Sequence, residues 1–326
     1  MIESRGAKRV AVVVPAYNEE ANIPIIYKEL KKILESLPIG HWTVVFVDDG
    51  SHDKTLGILR ALAEKEKGSV NYISFSKNFG HQTALKAGLD YVADGFDLAI
   101  TMDADLQHPP KLIPKLFGLW EQGYDVVYTV REATDDATFL KNVTSWLFYK
   151  LFRVLTDIHL EKGAADFRLY DRKVLEALSQ YKESNLFLRG VVSHLGFNQI
   201  SIPYKAESRR AGQSSYSFKK MFTLATNGIT SFSTIPLRLA VYVGFIFSLA
   251  SVIYGLYVLV AWIFNSSVIL PGWASIAAGL SFLGGSQLMF LGVIGIYIGK
   301  IFDEVKNRPV YLVKEAKLGE ARSRRV

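Results

Sequence analysis

The chain contains no cysteine among its 326 residues. Disulfide bonds and thiolate catalysis are therefore excluded. The six histidines do not show the spacing of zinc ligands, such as two side chains one helical turn apart. Zinc-site proteins and cysteine-dependent enzymes are thus removed from the classes to consider.

A long segment also lacks charge. Residues 239–299 contain no Asp, Glu, Lys or Arg. One bilayer crossing needs about 20 apolar residues, so this segment is too long for a single crossing and suits two. We predict two transmembrane helices within 236–300, near 239–264 and 273–299, with a polar turn between them. A buried hairpin in a soluble core is the alternative.

Lysine and arginine residues flank this segment on both sides, in a chain of net charge +7. Positively charged flanks face the cytoplasm in membrane proteins, and two crossings return the chain to its starting side. No apolar targeting segment precedes Val10. We therefore expect a multi-pass protein of the cell (inner) membrane. Its large N-terminal domain and both termini would be cytoplasmic, and residues 301–326 would form a basic tail.

Two further segments, 139–155 and 216–235, interleave large aromatic residues with lysine and arginine. This composition is typical of amphipathic helices that lie in the headgroup plane of a membrane. An ordinary helix that packs on the core is the alternative for each. We predict an interfacial helix at 216–235, next to the first crossing, and consider one at 139–155.

The first half of the chain alternates apolar runs with helical patterns. The runs predict strands at 10–14, 44–47, 98–102 and 125–130, and the helical patterns lie at 20–36, 53–66, 80–94 and 110–122. Fully apolar, β-branched runs indicate parallel strands buried on both faces. The sequence therefore predicts an α/β domain with an open, mainly parallel sheet flanked by helices. Ligands bind such sheets at the carboxyl ends of the strands.

Polar residues follow the first two predicted strands: Pro15, Tyr17, Asn18 and Glu19 after the first, and Asp48 and Asp49 after the second. Helix caps and tight turns are one explanation. Carboxylates at a strand end can also accept hydrogen bonds from a base or a ribose. These residues are therefore candidates for a nucleotide site.

The sequence MDADLQ follows the third predicted strand. In extended backbone, Asp103, Asp105 and Gln107 would point to the same side. Two adjacent carboxylates repel each other unless a cation or a proton joins them. Oxygen ligands of this kind suit Mg²⁺ or Mn²⁺, whose coordination is commonly completed by substrate phosphates. The pattern predicts a divalent metal site.

Together these motifs resemble family-2 glycosyltransferases with the GT-A fold. Two later segments, GAADFRLYDRKV at 163–174 and RRAGQSSY at 209–216, are similar to motifs of the polyisoprenyl-phosphate glycosyltransferases within that family. Bactoprenol glucosyltransferases and dolichol-phosphate mannose synthases belong to this group. With the two apolar helices, the resemblance extends over nearly the whole chain. It implies that residues 1–215 form a cytoplasmic GT-A catalytic domain.

The resemblance also implies roles for individual residues. Asp166 corresponds to the proposed catalytic aspartate, and Asp103, Asp105 and Gln107 correspond to the metal ligands. The implied donor-binding residues are Pro15, Tyr17, Asn18, Glu19, Asp48, Asp49, Asp103 and Arg209. The implied acceptor-phosphate residues are Arg131, Lys141 and Arg168. Ser215 departs from the pattern, because many relatives have lysine at this position.

The implied reaction is inverting transfer of a hexose from a nucleotide-sugar to a polyisoprenyl (undecaprenyl) phosphate, with Mg²⁺ or Mn²⁺ as cofactor. We predict that the transferred sugar is glucose from UDP-glucose, and GDP-mannose is the alternative donor. A processive polysaccharide synthase would need more membrane spans. A non-enzymatic scaffold or flippase would not need the metal motif, and a nucleic-acid module would not place its basic residues beside the membrane. Gly295 and Gly299 permit close helix contact, either between the two spans of one chain, which we favour, or between subunits of a homo-oligomer.

Overall fold

The computed structural model describes residues 8–132, 156, 161, 163–183, 186–205, 230, 233–264 and 272–319. The chain divides into two compact units. The first comprises Met1–Arg153, Ile158–Phe218 and Pro309–Val326, and the second comprises Val154–Asp157 and Lys219–Arg308. Several predictions lie outside the described residues: the helix at 139–155, most of 216–235, the turn at 265–271, and the roles of Lys141, Arg209 and Ser215.

The first unit is an α/β structure built on an eight-stranded sheet of order β7-β5-β6-β4-β1-β2-β3-β8. Its strands are β1 Arg9–Ala16, β2 His41–Asp48, β3 Val70–Phe75, β4 Leu98–Thr101, β5 Val126–Arg131, β6 Ala164–Asp171, β7 Gln199–Tyr204 and β8 Val313–Lys317. Its helices are α1 Ile23–Ser36, α2 Thr55–Lys65, α3 His81–Val92, α4 Ile113–Glu121, α5 Arg172–Ser179 and α6 Leu188–His194, with a 3₁₀ turn at Pro110–Leu112.

The sheet is mainly parallel, as predicted. β1 pairs in parallel with β2 and β4, β2 pairs in parallel with β3, and β5 pairs in parallel with β7. β6 is antiparallel to both β4 and β5, and β8 is antiparallel to β3. The four predicted strands are confirmed, whereas β3, β6, β7 and β8 were not predicted.

Apolar side chains on both faces of the strands account for the fold. Val10–Val14 of β1 is fully buried, which removes this β-branched run from water on both sides. Helix α1 begins with Pro24 near its N-terminus and buries residues spaced three or four apart on one face: Ile23, Ile26, Tyr27, Leu30 and Leu34. On the opposite face, α3 packs so closely that a Cβ on Gly88 would collide with Val13. The sheet is therefore covered by helices on both sides.

This topology brings two kinds of strand end to one edge of the sheet. The carboxyl ends of β1, β2, β3 and β4 lie at the same edge because these strands are parallel. β6 runs in the opposite direction, and its residue Arg168 pairs with Thr101 of β4. The amino-terminal part of β6, which carries Asp166, therefore lies beside the segment that follows β4.

A segment that follows the two apolar helices contributes to the same sheet. Residues 301–326 were expected to be a basic tail, but β8, within this range, pairs with the outer edge of β3. Three of its five residues are charged, namely Lys314, Glu315 and Lys317. The polypeptide thus leaves the first unit before residue 219 and rejoins it at residue 309.

The second unit contains the two long helices α7 Ile235–Phe264 and α8 Trp273–Val305. Each includes a stretch long and apolar enough to cross a membrane: Ile235–Tyr257 with mean hydropathy 2.1 and Phe282–Val305 with mean hydropathy 1.6. Neither stretch is buried within the protein. Phe247 and Phe282 form an edge-to-face ring contact between the two helices, with centroids 5.4 Å apart. Both predicted helices are therefore present, and α8 extends beyond its predicted end.

Candidate active site

The loops that follow β1 and β2 are joined by hydrogen bonds. Asn18, at a positive φ of 57°, donates its backbone N–H to Ser51 Oγ (3.0 Å) and accepts from the His52 backbone N–H (2.9 Å). The backbone N–H of Glu19 donates to Thr55 Oγ1 at 2.9 Å. Asn18 and Glu19, which the family resemblance implies to be donor-binding residues, thus also hold the two loops together.

Tyr17 and Pro15 differ in their access to solvent. Pro15 is buried in β1, where it lies opposite Val47 of β2. The Tyr17 side chain is 42% exposed, and its ring meets the His52 ring edge to face at 6.4 Å. Tyr17 therefore presents an aromatic surface that a planar base could contact.

Asp48 and Asp49, at the end of β2, are both buried. Asp48 accepts hydrogen bonds from Ser74 Oγ (2.7 Å) and the Ser51 N–H (3.1 Å). Asp49 accepts from the backbone N–H groups of Phe79 (2.6 Å) and Gly80 (2.9 Å). Burial raises the pKa of Asp49, although the two backbone donors act against that shift. The Asp49 carboxylate thus fixes the loop that follows β3.

Gly50 allows this arrangement. It has a positive φ of 68°, and a Cβ at this position would collide with the backbone of Lys77 and Asn78. Glycine is the residue type that adopts such a φ without strain. The close approach of two backbones here keeps Asp49 within reach of its two donors.

The candidate metal residues lie on a turn rather than on an extended strand. β4 ends at Thr101, and residues 104 and 105 form a turn in which the following Leu106 has a positive φ of 61°. Asp103, Asp105 and Gln107 are partly exposed, whereas Met102, Ala104, Leu106 and His108 are buried. The predicted alternation is therefore present, but its cause is a turn anchored by buried side chains.

Asp103 has an oxygen that its neighbours leave unsatisfied. Its Oδ1 is buried and accepts no hydrogen bond from the described residues, although His81 Nε2 lies at an ion-pair distance of 3.3 Å. The backbone N–H of Asp103 donates to His108 Nδ1 at 3.2 Å. Within the described part of the chain, no group of three or more His, Cys, Asp or Glu side chains could hold a metal ion. Asp103, Asp105 and the Gln107 amide would therefore need substrate oxygens to complete a metal site.

Asp166 is held by an arginine that the sequence analysis did not identify. Arg189, on α6, donates Nε to Oδ1 (2.7 Å) and Nη2 to Oδ2 (2.8 Å) of Asp166, and Gln82 Nε2 donates to Oδ2 at 3.2 Å. Burial alone would raise the pKa of Asp166, but the charge and hydrogen bonds of Arg189 outweigh burial and hold this pKa well below its usual value. The carboxylate is therefore a fixed anion and a weak base.

His81, the first residue of α3, lies between the two acidic positions. Its Nε2 is 3.3 Å from Asp103 Oδ1 and 3.5 Å from Asp166 Oδ2. Burial opposes protonation of the imidazole, but attraction to Asp166 and Asp103 outweighs it and raises the pKa of His81 to about 9. The site thus contains a cationic histidine that bridges the segment after β4 and strand β6.

The predicted acceptor residues are placed differently. Arg131, the last residue of β5, is exposed and can reach a ligand. Arg168 is only 4% exposed, donates Nε to the Ala165 carbonyl at 3.0 Å, and packs over the Tyr128 ring at 5.1 Å. Contact between Arg168 and the acceptor phosphate stays a prediction.

Three contributors to the site were missed: His81, Arg189 and the loop after β3. The signal for the loop was the short run VNYISF, which forms β3 but contains the polar residues Asn71 and Ser74. Because β3 was not predicted, the polar residues at 76–81 were not recognised as following a strand of the sheet. Arg189 lies 23 residues after Asp166 along the chain, and no local pattern connects the two.

In chemical terms, this edge of the sheet combines three features. An exposed aromatic ring and a pair of buried carboxylates lie at β1 and β2, an incompletely hydrogen-bonded carboxylate lies after β4, and an anion locked by arginine lies on β6. Such an arrangement suits a phosphorylated ligand that brings a divalent cation and a second reactant positioned near Asp166.

Comparisons with known proteins agree with this chemistry. The model of glycosyl transferase family 2 matches residues 11–179, a range that contains Asp49, Asp103 and Asp166. An uncharacterized glycosyltransferase of Bacillus subtilis, YkcC, is 42% identical over 306 residues, which cover 94% of this chain and 93% of that protein. The SfII prophage-derived bactoprenol glucosyl transferase of Shigella flexneri is 39% identical over 95% of this chain and 99% of its own.

Among solved structures, mannosyl-3-phosphoglycerate synthase from Rubrobacter xylanophilus covers 71% of this chain and 74% of its own, at 16% identity and a TM-score of 0.46. The family match includes more than half of the chain and both sides of the site. From its sequence, its sheet and its relatives, the chain belongs to glycosyl transferase family 2.

Proposed function

We propose that this protein transfers glucose, with inversion, from UDP-glucose to undecaprenyl phosphate and yields a polyprenyl-phosphate sugar. The observation that carries the proposal is similarity to a relative named bactoprenol glucosyl transferase over 95% of this chain. Similarity over that length includes most of the two apolar helices as well as the α/β unit. A glycosyltransferase with a lipid acceptor has a reason to keep both parts in one chain.

The same proposal includes a membrane arrangement. Residues 1–215 would be the cytoplasmic catalytic domain, 216–235 an interfacial helix, and 236–300 the two crossings. The charge-free composition of residues 239–299 and the basic flanks support it. The return of the chain to the first unit at residue 309 also supports an even number of crossings, because the same folded unit precedes and follows them.

For the donor, the base and ribose would bind at the ends of β1 and β2. Tyr17 is exposed there and Glu19 is partly exposed, while the Asp48 carboxylate lies buried at the end of β2. Asp49 would act indirectly, because its two hydrogen bonds hold the loop after β3. Arg209, which lies outside the described residues, remains our candidate for the donor diphosphate.

A divalent ion, Mg²⁺ or Mn²⁺, fits the segment after β4. Asp103, Asp105 and Gln107 would hold it, and the unsatisfied Oδ1 of Asp103 is the feature that favours a cation at this point. When bound, such an ion stabilises the negative charge that develops on a leaving diphosphate. The protein's own share is to keep these oxygens on one side of the turn and to keep Asp166 ionised nearby.

The acceptor needs little help from a base. A lipid monophosphate has a second pKa of about 6 and is mostly dianionic at neutral pH, so its oxygen can attack the anomeric carbon directly. One carbon–oxygen bond forms to the acceptor as the bond to the nucleoside diphosphate breaks on the opposite face. Asp166, fixed by Arg189, would orient the sugar or the acceptor. Arg131 and Lys141 would hold the acceptor phosphate.

A donor and acceptor matrix tests the proposal. Purified full-length protein in detergent would receive UDP-glucose, UDP-galactose, UDP-N-acetylglucosamine or GDP-mannose, each with undecaprenyl phosphate or without lipid. We expect lipid-linked glucose only from UDP-glucose with the lipid phosphate. If only GDP-mannose gives a lipid-linked product, the donor is GDP-mannose and not UDP-glucose. If none of the donors gives a lipid-linked product, the proposed acceptor class is refuted.

The topology has a separate test, which the absence of cysteine makes clean. A single cysteine replaces Ser267 in one variant and Ser4 in another. In intact cells, an impermeant thiol reagent should label the Ser267→Cys variant and not the Ser4→Cys variant. The opposite labelling pattern would reverse the proposed orientation.

A further inference from the structure

The end of the chain contacts the strand that leads into the active site. Strand β8 lies along the outer edge of β3, with Phe75 opposite Val313 and Tyr72 opposite Lys317. The pairing continues past β3, where the Ser76 N–H donates to the Leu312 carbonyl at 2.9 Å. The segment before β8 therefore reaches the loop at residues 76–80, which we call the β3 loop.

Three aromatic rings continue this contact into the β3 loop. Tyr311 stacks on Phe75, with centroids 4.9 Å apart and an interplanar angle of 24°. Phe75 in turn meets Phe79 edge to face at 5.7 Å. Phe79 belongs to the β3 loop, so the ring of Tyr311 supports it through one intermediate ring.

The β3 loop is where the site is assembled. The N–H groups of Phe79 and Gly80 bind the Asp49 carboxylate, and the next residue, His81, lies between Asp103 and Asp166. A displacement of Phe79 would therefore disturb the hydrogen bonds of Asp49 and the start of α3. Both changes fall on the donor side of the proposed site.

The far end of β8 is anchored independently. Arg60 forms a bidentate pair with Glu315, with nitrogen–oxygen distances of 2.7 and 2.5 Å. Lys317 Nζ binds Glu64 at 2.6 Å and the Ala63 carbonyl at 3.1 Å. These contacts join β8 to α2 and lie away from the β3 loop. The strand is thus secured at one end and is in contact with the site at the other.

We infer that Tyr311 is a positioning residue of the active site, which acts through Phe75 and Phe79 to hold the β3 loop for donor binding. The expected effect on the donor KM rests on the proposed function, whereas the expected effect on the β3 loop does not. Covering an exposed sheet edge is the simpler role of β8. Edge protection requires the backbone pairing but does not require an aromatic ring at residue 311.

The matched variants are Tyr311→Leu, Tyr311→Phe and Phe96→Leu in the full-length protein. Phe96 stacks on His41 at 6.3 Å, near the opposite ends of the strands, so Phe96→Leu removes a comparable ring contact remote from the site. A pair of aromatic rings contributes about 0.5–1.5 kcal/mol, and a free-energy difference of about 1.4 kcal/mol changes an equilibrium constant tenfold. We therefore expect amide hydrogen exchange of the β3 loop to accelerate about two- to tenfold in Tyr311→Leu.

The expected pattern is specific. Tyr311→Phe should exchange like the wild type, because it keeps the stacked ring, and Phe96→Leu should leave the β3 loop unchanged. In transfer assays, Tyr311→Leu should raise the donor KM by a similar factor while kcat at saturating donor is nearly retained, since bound donor restores the loop. The acceptor KM should not change.

Three results would overturn the inference. The first is an unchanged exchange rate in the β3 loop of Tyr311→Leu, and the second is an equal increase in Phe96→Leu. The third is faster exchange with an unchanged donor KM, which would limit Tyr311 to a role in stability. If the wild type transfers sugar from none of the donors, the proposed function fails, and the exchange rates still decide whether Tyr311 holds the loop.

Discussion

Asp49 and Asp103 follow two strands of the same sheet but use their carboxylates differently. Both oxygens of Asp49 accept backbone hydrogen bonds at 2.6 and 2.9 Å. Asp103 Oδ1, in contrast, is buried and accepts none from the described residues. Acidic residues at two strand ends of one sheet therefore have different roles, since Asp49 holds the site together and Asp103 has an oxygen that could bind a ligand.

The largest expected effect comes from Asp103→Asn, with Asp105→Asn as a companion. Loss of a metal-binding charge removes several kcal/mol of transition-state stabilisation, so kcat should fall roughly a thousandfold. The free energy of unfolding should fall by no more than about 1 kcal/mol, because Asp103→Asn removes a partly exposed ion-pair partner of His81 but leaves no backbone donor without its acceptor. Transfer rates and urea unfolding measure the two quantities. If both variants transfer sugar at the normal rate in EDTA, Asp103 and Asp105 do not hold a metal ion that transfer needs.

The next largest effect concerns Asp166→Asn. Removing one partner of a buried ion pair costs about 3 kcal/mol, so this variant should lose stability, and kcat should fall while UDP still binds. The pKa of Asp166 is held well below its usual value. Its contribution is therefore complete above the ordinary aspartate pKa of about 3.9 and is lost as pH falls through the lowered value.

The pH dependence of this stability difference tests whether Asp166 is charged in the folded protein. The difference in unfolding free energy between wild type and Asp166→Asn should grow as pH falls from about 9 to about 6.5, because Asp166 also raises the pKa of His81 to about 9. It should then stay constant to about pH 5 and should shrink only below about pH 4. Chemical unfolding at several pH values measures it. A difference that already disappears near pH 6 would mean that Arg189 does not hold the carboxylate in its charged form.

Asp49→Asn should show the opposite balance to Asp103→Asn. The amide offers one acceptor oxygen in place of two, so one backbone donor in the β3 loop loses its partner at a cost of about 2 kcal/mol. Stability should fall and the donor KM should rise, while kcat at saturating donor changes little. Urea unfolding and donor titration measure both. A kcat loss as large as that of Asp103→Asn would show that Asp49 contacts the reacting groups.

The smallest effects are expected from substituting Gly50 or Gly57, and each variant serves as the control for the other. Gly50→Ala forces a positive φ on alanine, which costs about 1–2 kcal/mol, and its Cβ would collide with Lys77. Gly57, within α2, has no atom within 4 Å of an added Cβ, so Gly57→Ala should stabilise the protein by about 0.5–1 kcal/mol. Thermal unfolding should therefore shift in opposite directions. A shift in the same direction would contradict the role given to Gly50.

Much of the sheet could be predicted because its central strands are continuous apolar runs. β1, β2 and β4 were recognised for this reason, and so were the residues that follow them. β3 was missed because Asn71 and Ser74 interrupt the run, although both side chains are buried and hydrogen-bonded within the sheet. β8 was missed because its sequence, VKEAK, is mostly charged and resembles part of a basic tail.

The candidate site was predicted less completely, for a different reason. The order of Asp103, Asp105 and Gln107 is visible in the sequence, but the positive φ of Leu106 depends on the packing of its side chain. Likewise, the pairing of Asp166 with Arg189 and His81 joins strand β6 to two separate helices. Contacts of this kind follow from the topology of the sheet and have no local signature.

The most direct test of the account measures glucosyl transfer by wild type, Asp49→Asn and Asp103→Asn in parallel. Full-length protein in detergent would receive radiolabelled UDP-glucose and undecaprenyl phosphate, with Mg²⁺ or Mn²⁺, at saturating donor. The account predicts lipid-linked glucose from wild type and Asp49→Asn, and almost none from a folded Asp103→Asn. Absence of lipid-linked glucose from folded wild type, or undiminished transfer by Asp103→Asn, would contradict it.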